Sequence, residues 1–204
     1  MAALNTYEMT TLLWHIAHRP HDMVSLGVFP ADHLPYVRRI RDALAGSVNC
    51  CFVANTDPAN RPGKHWVLFI ATMITRNRIQ LEYFDSYGLP MPMYADLYAA
   101  CIRNGYLKLV SEVSTVYLQD SNSSVCGYWC LLVAHFRAIG RTFTFTINYL
   151  RSRGKTAKQR DKYVVLAIHS VLHRRRYFTN HNPNCLASSS SSRGFHQSCC
   201  AANY

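Results

Sequence analysis

Apolar residues at Met9, Leu12, Leu13 and Ile16 recur with the three-and-four spacing of a single helix face, which predicts an amphipathic helix over Tyr7 to His18 that ends at Pro20. Ser25 to Pro35 (SLGVFPADHLP) contains two prolines and reads as irregular. Val37, Ile40 and Leu44 share a face of a basic helix over Tyr36 to Leu44, which Gly46 stops. Cys50 to Ala54 (CCFVA) is a short apolar strand running into the turn-rich Asn55 to Lys64 (NTDPANRPGK). Trp66 to Ala71 and Ile79 to Phe84 are β-branched and aromatic, with Thr75 to Arg78 as a polar break, and predict an antiparallel hairpin closed by Asp85, Ser86, Tyr87 and Gly88. Helical spacing returns over Met93 to Asn104 with Gly105 as its cap, and alternation over Leu107 to Leu118 predicts one or two strands interrupted near Glu112. Gln119 to Val125 is polar, with Asn122, Ser123 or Ser124 suited to cap a helix. That helix opens at Cys126, and its almost wholly apolar stretch Tyr128 to Phe136 is too long for a strand and predicts a buried element. Ala157 to His173 is the last expected helix, and beyond Phe178 the chain turns to Asn, Ser and His, with five consecutive serines from Ser188.

These elements predict an α+β fold: a small, mainly antiparallel sheet packed against helices, with a cysteine at the N-terminus of a buried central helix. The folded domain is expected over residues 1–181 and a Ser-rich, unfolded tail over 182–204. At 204 residues the chain is long enough to bury a core without disulfides. The first residues lack the basic-then-apolar layout of a secretory signal, and no run approaches the roughly 18 apolar residues of a membrane span. The expectation is a soluble intracellular protein whose eight cysteines are reduced. No C-x-x-C occurs, so neither a zinc site nor any other metal is expected.

Chemistry concentrates at Cys126. The unpaired N–H groups and dipole of a helix N-terminus favour thiolate over thiol, which makes Cys126 a candidate nucleophile. A lone cysteine in an apolar helix is more often a small filler, as Cys130 is expected to be. The polar lead-in QDSNSSV tips the reading, because an oxyanion pocket needs donors and Gln119 stands seven residues upstream. A thiolate nucleophile also needs a base and an acceptor that orients it. His65 lies just before the first hairpin strand and Asp85 just after the second. Antiparallel pairing therefore makes neighbours of two residues twenty apart.

The segment Gln119 to Cys130 (QDSNSSVCGYWC) resembles the active-site segment of the adenovirus endopeptidase (adenain) family, in which Q, two residues, NS, two residues, CG, two residues and C follow one another. Asn55-Thr56 with Gly63 to Trp66, Leu26 to Pro35, and Leu172 to His181 are also similar, so the resemblance spans roughly Tyr7 to His181. The related deSUMOylating proteases keep the order His, Asp, Gln, Cys, but they usually set Gln six residues before Cys and lack the Asn-Ser pair. The resemblance implies an adenain-like cysteine protease in which Cys126 attacks the scissile carbonyl, His65 is its ion-pair partner and general acid, and Asp85 orients His65. It further implies that Gln119 and the Cys126 backbone N–H form the oxyanion hole, with Trp66 and Gly127 at the substrate. The position of Asp85 is Glu in the adenovirus enzymes, and the hairpin here is about three residues longer than theirs.

Enzymes of that family cleave virion precursor proteins after glycine and are stimulated by DNA and by a short viral peptide held through a disulfide. The resemblance therefore implies viral capsid or core precursors as substrates, non-specific DNA and a viral peptide as activators, no metal or small-molecule cofactor, no membrane partner, a monomer, and a location in the virion and host nucleus. Where the family carries the peptide-linking cysteine this chain has Lys108, and its nearest thiol is Cys101. Two other readings stand beside this one: a ubiquitin- or SUMO-type isopeptidase, which uses the same residue set, and a non-enzymatic basic DNA-binding virion protein.

Charge bears on the partner rather than the chemistry. Residues 1–150 hold 12 Lys and Arg against 10 Asp and Glu, whereas residues 151–204 hold 10 against one, which places most of the net +11 in the C-terminal quarter. Lys155, Lys158, Arg160 and Lys162 around the start of the last helix and Arg174, Arg175 and Arg176 at its end are the candidate DNA contacts. Sequence-independent phosphate binding is expected of them, because no recognition helix or stacking platform is apparent.

Overall fold

The structure is a computed structural model that describes residues 3–17, 23–75 and 78–181, with side chains described as far as residue 173. Five strands, β1 (Met23–Phe29), β2 (Asn49–Asn55), β3 (Trp66–Thr75), β4 (Arg78–Phe84) and β5 (Val110–Val113), form one sheet in sequence order. The central pairs β2–β3 and β3–β4 are antiparallel, and a parallel strand closes each edge. Six helices, α1 (Thr6–Ala17), α2 (Val37–Leu44), α3 (Ala95–Arg103), α4 (Cys126–Ala138), α5 (Phe143–Arg151) and α6 (Ala157–His181), complete the described fold, which is α+β as expected.

The period-two alternation of the central strands sorts the core into two layers. Cys51, Val53, Leu68, Ile70 and Phe84 face a cluster shared with α1, α4, α5 and α6, where Trp129, Cys130, Leu131 and Val133 of α4 are fully or almost fully buried. Cys50, Phe52, Val67, Phe69, Leu81 and Tyr83 point the other way, against α2 and α3. Helices on both faces explain why β2 and β3 are apolar along nearly their whole length, since neither face meets water.

Several elements differ from their sequence expectation. The first part of Ser25 to Pro35, expected to be irregular, belongs to Met23–Phe29, a parallel edge strand on β2. Both prolines fall after it, and the register shift between Ser25 and Gly27 absorbs an extra residue. α5 was not expected at all. Its Thr and Phe content favours extended backbone locally, but Thr142 caps it by accepting the Phe145 N–H, and Phe143, Ile147 and Leu150 bury one helical face. Of Leu107 to Leu118 only Val110–Val113 is strand. α6 runs on to His181 rather than stopping at His173. α1 starts with a reciprocal pair of 2.9 Å bonds, Asn5 N–H to Glu8 and Glu8 N–H to Asn5 Oδ1, which locks its first turn. Pro20 and the 182–204 tail lie outside the described residues.

Two glycines hold the loops that carry the candidate residues. Gly63 has φ +87°, and a β-carbon there would come 2.3 Å from Asn55 Nδ2, so only glycine lets the chain enter β3 this close to β2. Gly88 (φ +67°) closes the turn after β4 by donating its N–H to the Asp85 carbonyl, and it lies against the Thr115 and Val116 backbone. The segment leading to Gln119 is thereby pressed against the turn that carries Asp85.

Candidate active site

Pairing of β2 with β3 sets Asn55 opposite Trp66, and the Thr56 N–H donates to the His65 carbonyl, so His65 is held at the mouth of β3. Leu68 is paired with Phe84 across the hairpin, which brings Asp85 beside His65. His65 Nε2 lies 2.8 Å from Asp85 Oδ1, with His65 only 6% exposed and Asp85 fully buried. The neighbourhood predicted from strand pairing alone is therefore present in the structure.

Asp85 is fully partnered. Oδ1 also accepts the Tyr87 backbone N–H at 2.7 Å, and Oδ2 accepts the Tyr94 hydroxyl at 2.6 Å. Tyr87 stacks on the imidazole with ring centroids 4.7 Å apart and planes at 27°. Neither tyrosine was singled out in the sequence. The signal that could have found Tyr87 is its place two residues after the acid in a tight turn, whereas Tyr94 comes from a separate segment that only the fold brings back.

With Nε2 on Asp85, the other ring nitrogen is left for Cys126. Burial works to lower the His65 pKa, but hydrogen bonds and charge from Asp85 and from Cys126 outweigh it and raise the value from 6.5 to about 9. The folded protein thus holds the imidazole proton more tightly than the unfolded chain does. The resulting stabilisation is complete below the unfolded value of 6.5 and is lost as pH rises through about 9. The matching expectation for any activity that needs the protonated imidazole is a basic limb in kcat/KM near pH 9, where His65 loses its proton. A limb near 6.5 would show an unperturbed imidazole instead.

Cys126 is the first residue of α4 and is 7% exposed. Helix geometry leaves its backbone N–H, like those of Gly127 and Tyr128, without an intrahelical acceptor. The expected cap is absent: Val125 occupies the capping position and makes no side-chain bond, so Asn122, Ser123 and Ser124 do not fill it. An uncapped first turn keeps those N–H groups open to an anion.

Gln119 is fully buried, and every polar atom of its amide is occupied. Oε1 accepts the Ser86 hydroxyl at 2.7 Å, and Nε2 donates to the Ser123 carbonyl at 2.9 Å and to Tyr87 Oη at 3.1 Å. α6 holds the same segment from outside. Asp161 accepts the Asp120 N–H at 3.1 Å and the Trp129 indole N–H at 2.8 Å. Arg160 donates to the carbonyls of Leu118, Gly154 and Tyr117.

The remaining candidates are placed as follows. Arg160, expected at a DNA surface, has its guanidinium turned inward onto the approach to Gln119, where carbonyl acceptors compete with any external phosphate. Lys155, Lys158 and Lys162 are exposed, and the side chains of Arg174, Arg175 and Arg176 lie outside the described set. Trp66 is buried and donates its indole N–H to the Leu4 carbonyl at 3.1 Å, and a β-carbon on Gly127 would come 2.7 Å from Met9 Cε. The start of the chain therefore covers both residues expected at the substrate. A cleft of about 440 Å³ opens at His65, between Thr56, Lys64, Tyr87, Leu89 and Tyr94. Cys101 is buried in α3, and burial alone pushes its thiol up to about 12, which makes it a poor partner for an external disulfide.

No protein-family model and no curated protein matches the sequence. Among solved structures, the central domain of an uncharacterized Legionella pneumophila protein is similar over 86% of this chain and 99% of its own, with 16% identity and a TM-score of 0.50. A protease of ASFV is 18% identical over 80% of this chain, with a TM-score of 0.49, and this chain spans 66% of its length. The SUMO protease Ulp1, with its catalytic cysteine oxidized to a sulfinic acid, is 13% identical over 81% of this chain and 79% of its own, with a TM-score of 0.41. At these identities the likeness is one of fold, and function rests on the site itself.

Proposed function

We propose that this protein is a cysteine endopeptidase that works through a thioacyl-enzyme. The observation that carries the reading is the buried His65–Asp85 pair at 2.8 Å, with Cys126 on the first turn of α4 and Gln119 buried on the segment that leads into that helix. The Cys126 thiolate attacks the scissile carbonyl, and the oxyanion forms beside the Cys126 N–H and the Gln119 amide. His65 then protonates the departing amine and afterwards takes a proton from the water that releases the acyl group. Asp85, fixed by Tyr94 and the Tyr87 N–H, keeps the imidazole oriented throughout.

The finer reading follows the Gln119 to Cys130 pattern: a virus-encoded, adenain-like enzyme that cleaves capsid or core precursors after glycine in the virion and host nucleus, with DNA as activator. Arg151, Arg153, Lys155, Lys158 and Lys162 are all exposed around the start of α6 and offer a basic face for a phosphate backbone. The test is to incubate the purified chain with a peptide library carrying glycine before the cleaved bond, with and without duplex DNA, across a salt series. Cleavage after glycine that DNA enhances, with enhancement falling steeply as salt rises, is the expected result. No cleavage of any peptide by the folded protein would overturn the endopeptidase reading, and DNA-independent cleavage would remove the activator alone.

A further inference from the structure

We propose that the cleft at His65 is the subsite for the residue that follows the cleaved bond, and that Asp57 makes it select a lysine or arginine there. The inference rests on the endopeptidase reading and adds a specificity to it. The cleft is lined by His65, by Tyr87 and Tyr94, and by Asp57, Arg61 and Lys64 of the loop between β2 and β3, but by none of Trp66, Gln119, Cys126 and Gly127. In acyl transfer the acyl half of the substrate stays on the Cys126 sulfur, with its oxygen at the first turn of α4. The amine half takes its proton from His65 and departs from there. A cleft that borders the general acid and not the nucleophile therefore receives the leaving chain.

Asp57 gives this cleft its charge preference. The bond from the Thr56 N–H to the His65 carbonyl carries the strand pairing one step past β2 and sets Asp57 one residue beyond it. The Asp57 backbone is held on both sides: its N–H donates to Asn55 Oδ1 at 2.9 Å, and its carbonyl accepts the Ala31 N–H at 3.0 Å. The residue is only 7% exposed, yet its carboxylate makes no hydrogen bond and no ion pair among the described residues. A carboxylate withdrawn from water without a donor is costly, and a cation brought by the substrate removes that cost. The cleft's own cations do not supply it: Arg61 is paired with Asp96 at 3.3 Å, and Lys64 is exposed to solvent. The half-buried rings of Tyr87 and Tyr94 add π faces that suit an ammonium or guanidinium, and Leu89 adds apolar surface for its methylene stem.

The test measures kcat/KM for internally quenched peptides that differ only in the residue after the cleaved glycine bond: lysine, norleucine or glutamate. Norleucine keeps the stem and removes the charge. Wild type should cleave the lysine peptide about 30-fold faster than the norleucine peptide, the size expected of a hydrogen bond to a charged group withdrawn from water. In Asp57→Asn the ratio should fall to about 1. Asparagine keeps the shape, and the carboxylate has no partner in the fold to lose, so the variant folds; a ratio taken within one protein also cancels any general loss of activity. The net charge of +11 works in the opposite direction, since at long range it favours acidic peptides, so a preference for lysine has to come from a local carboxylate. Equal cleavage of the lysine and norleucine peptides by wild type, a preference for glutamate, or a lysine preference that survives Asp57→Asn would each overturn the inference and leave the endopeptidase reading standing. If folded wild type cleaves no peptide of the glycine library, that reading falls and takes the inference with it.

Discussion

Replacing Cys126 by alanine is expected to abolish peptide hydrolysis, a loss of about 10⁴-fold or more, with thermal stability essentially unchanged. Covalent catalysis has no substitute for the sulfur, because nothing else at the first turn of α4 can form the acyl bond. The structural cost is small: Cys126 is 7% exposed at the edge of the core, so truncation opens little cavity. His65→Ala should cause a loss of similar size by removing both the ion-pair partner and the proton donor, and the double variant should be scarcely worse than either single one, since the two residues act as a unit. Retained hydrolysis in Cys126→Ala, read with a peptidyl-glycine substrate alongside a circular dichroism melt, would exclude a thiolate mechanism.

Arg137→Ala is expected to destabilise the fold by about 3–5 kcal/mol. Glu82 on β4 and Arg137 near the end of α4 form a bidentate pair, with both contacts at 2.7 Å and side chains only 5% and 12% exposed. Burial raises the Glu82 pKa, Arg137 opposes that rise and Glu112 adds to it, so removing the guanidinium leaves a buried carboxylate without compensation. The pair also ties α4, which begins at Cys126, to β4, which ends just before Asp85, and activity should fall before unfolding is complete. Glu82→Gln combined with Arg137→Met should recover much of the loss, because no charge is then stranded. Urea denaturation of the single and double variants measures this directly. Equal destabilisation in both would show that packing, and not charge, is lost.

The strands and helices with a clear period were legible in the chain: β2 to β4, α2, α3 and α4 lie where apolar alternation or three-and-four spacing puts them. β1 was not, because an edge strand with a bulge and flanking prolines has too little pattern of its own and becomes a strand only when β2 supplies its hydrogen bonds. α5 was hidden for a related reason, since burial of Phe143, Ile147 and Leu150 overrides the extended preference of its Thr and Phe residues. The helical path of α6 past His173 likewise had no apolar signal.

The same division runs through the site. That His65 meets Asp85 and that Cys126 opens α4 could be read from the sequence, because these residues sit at the ends of periodic elements, and strand pairing and helix polarity alone dictate where such ends lie. What depends on contacts between distant segments had to come from the tertiary structure: Tyr94 on Asp85, Tyr87 between His65 and Gln119, Leu4 on Trp66, and Arg160 turned inward from the basic face. Local propensity and periodicity place elements, but a hydrogen bond between residues that loops bring together carries no trace in the spacing of either one. The candidate nucleophile is therefore a reading of the sequence, and the arrangement of donors around it belongs to the fold.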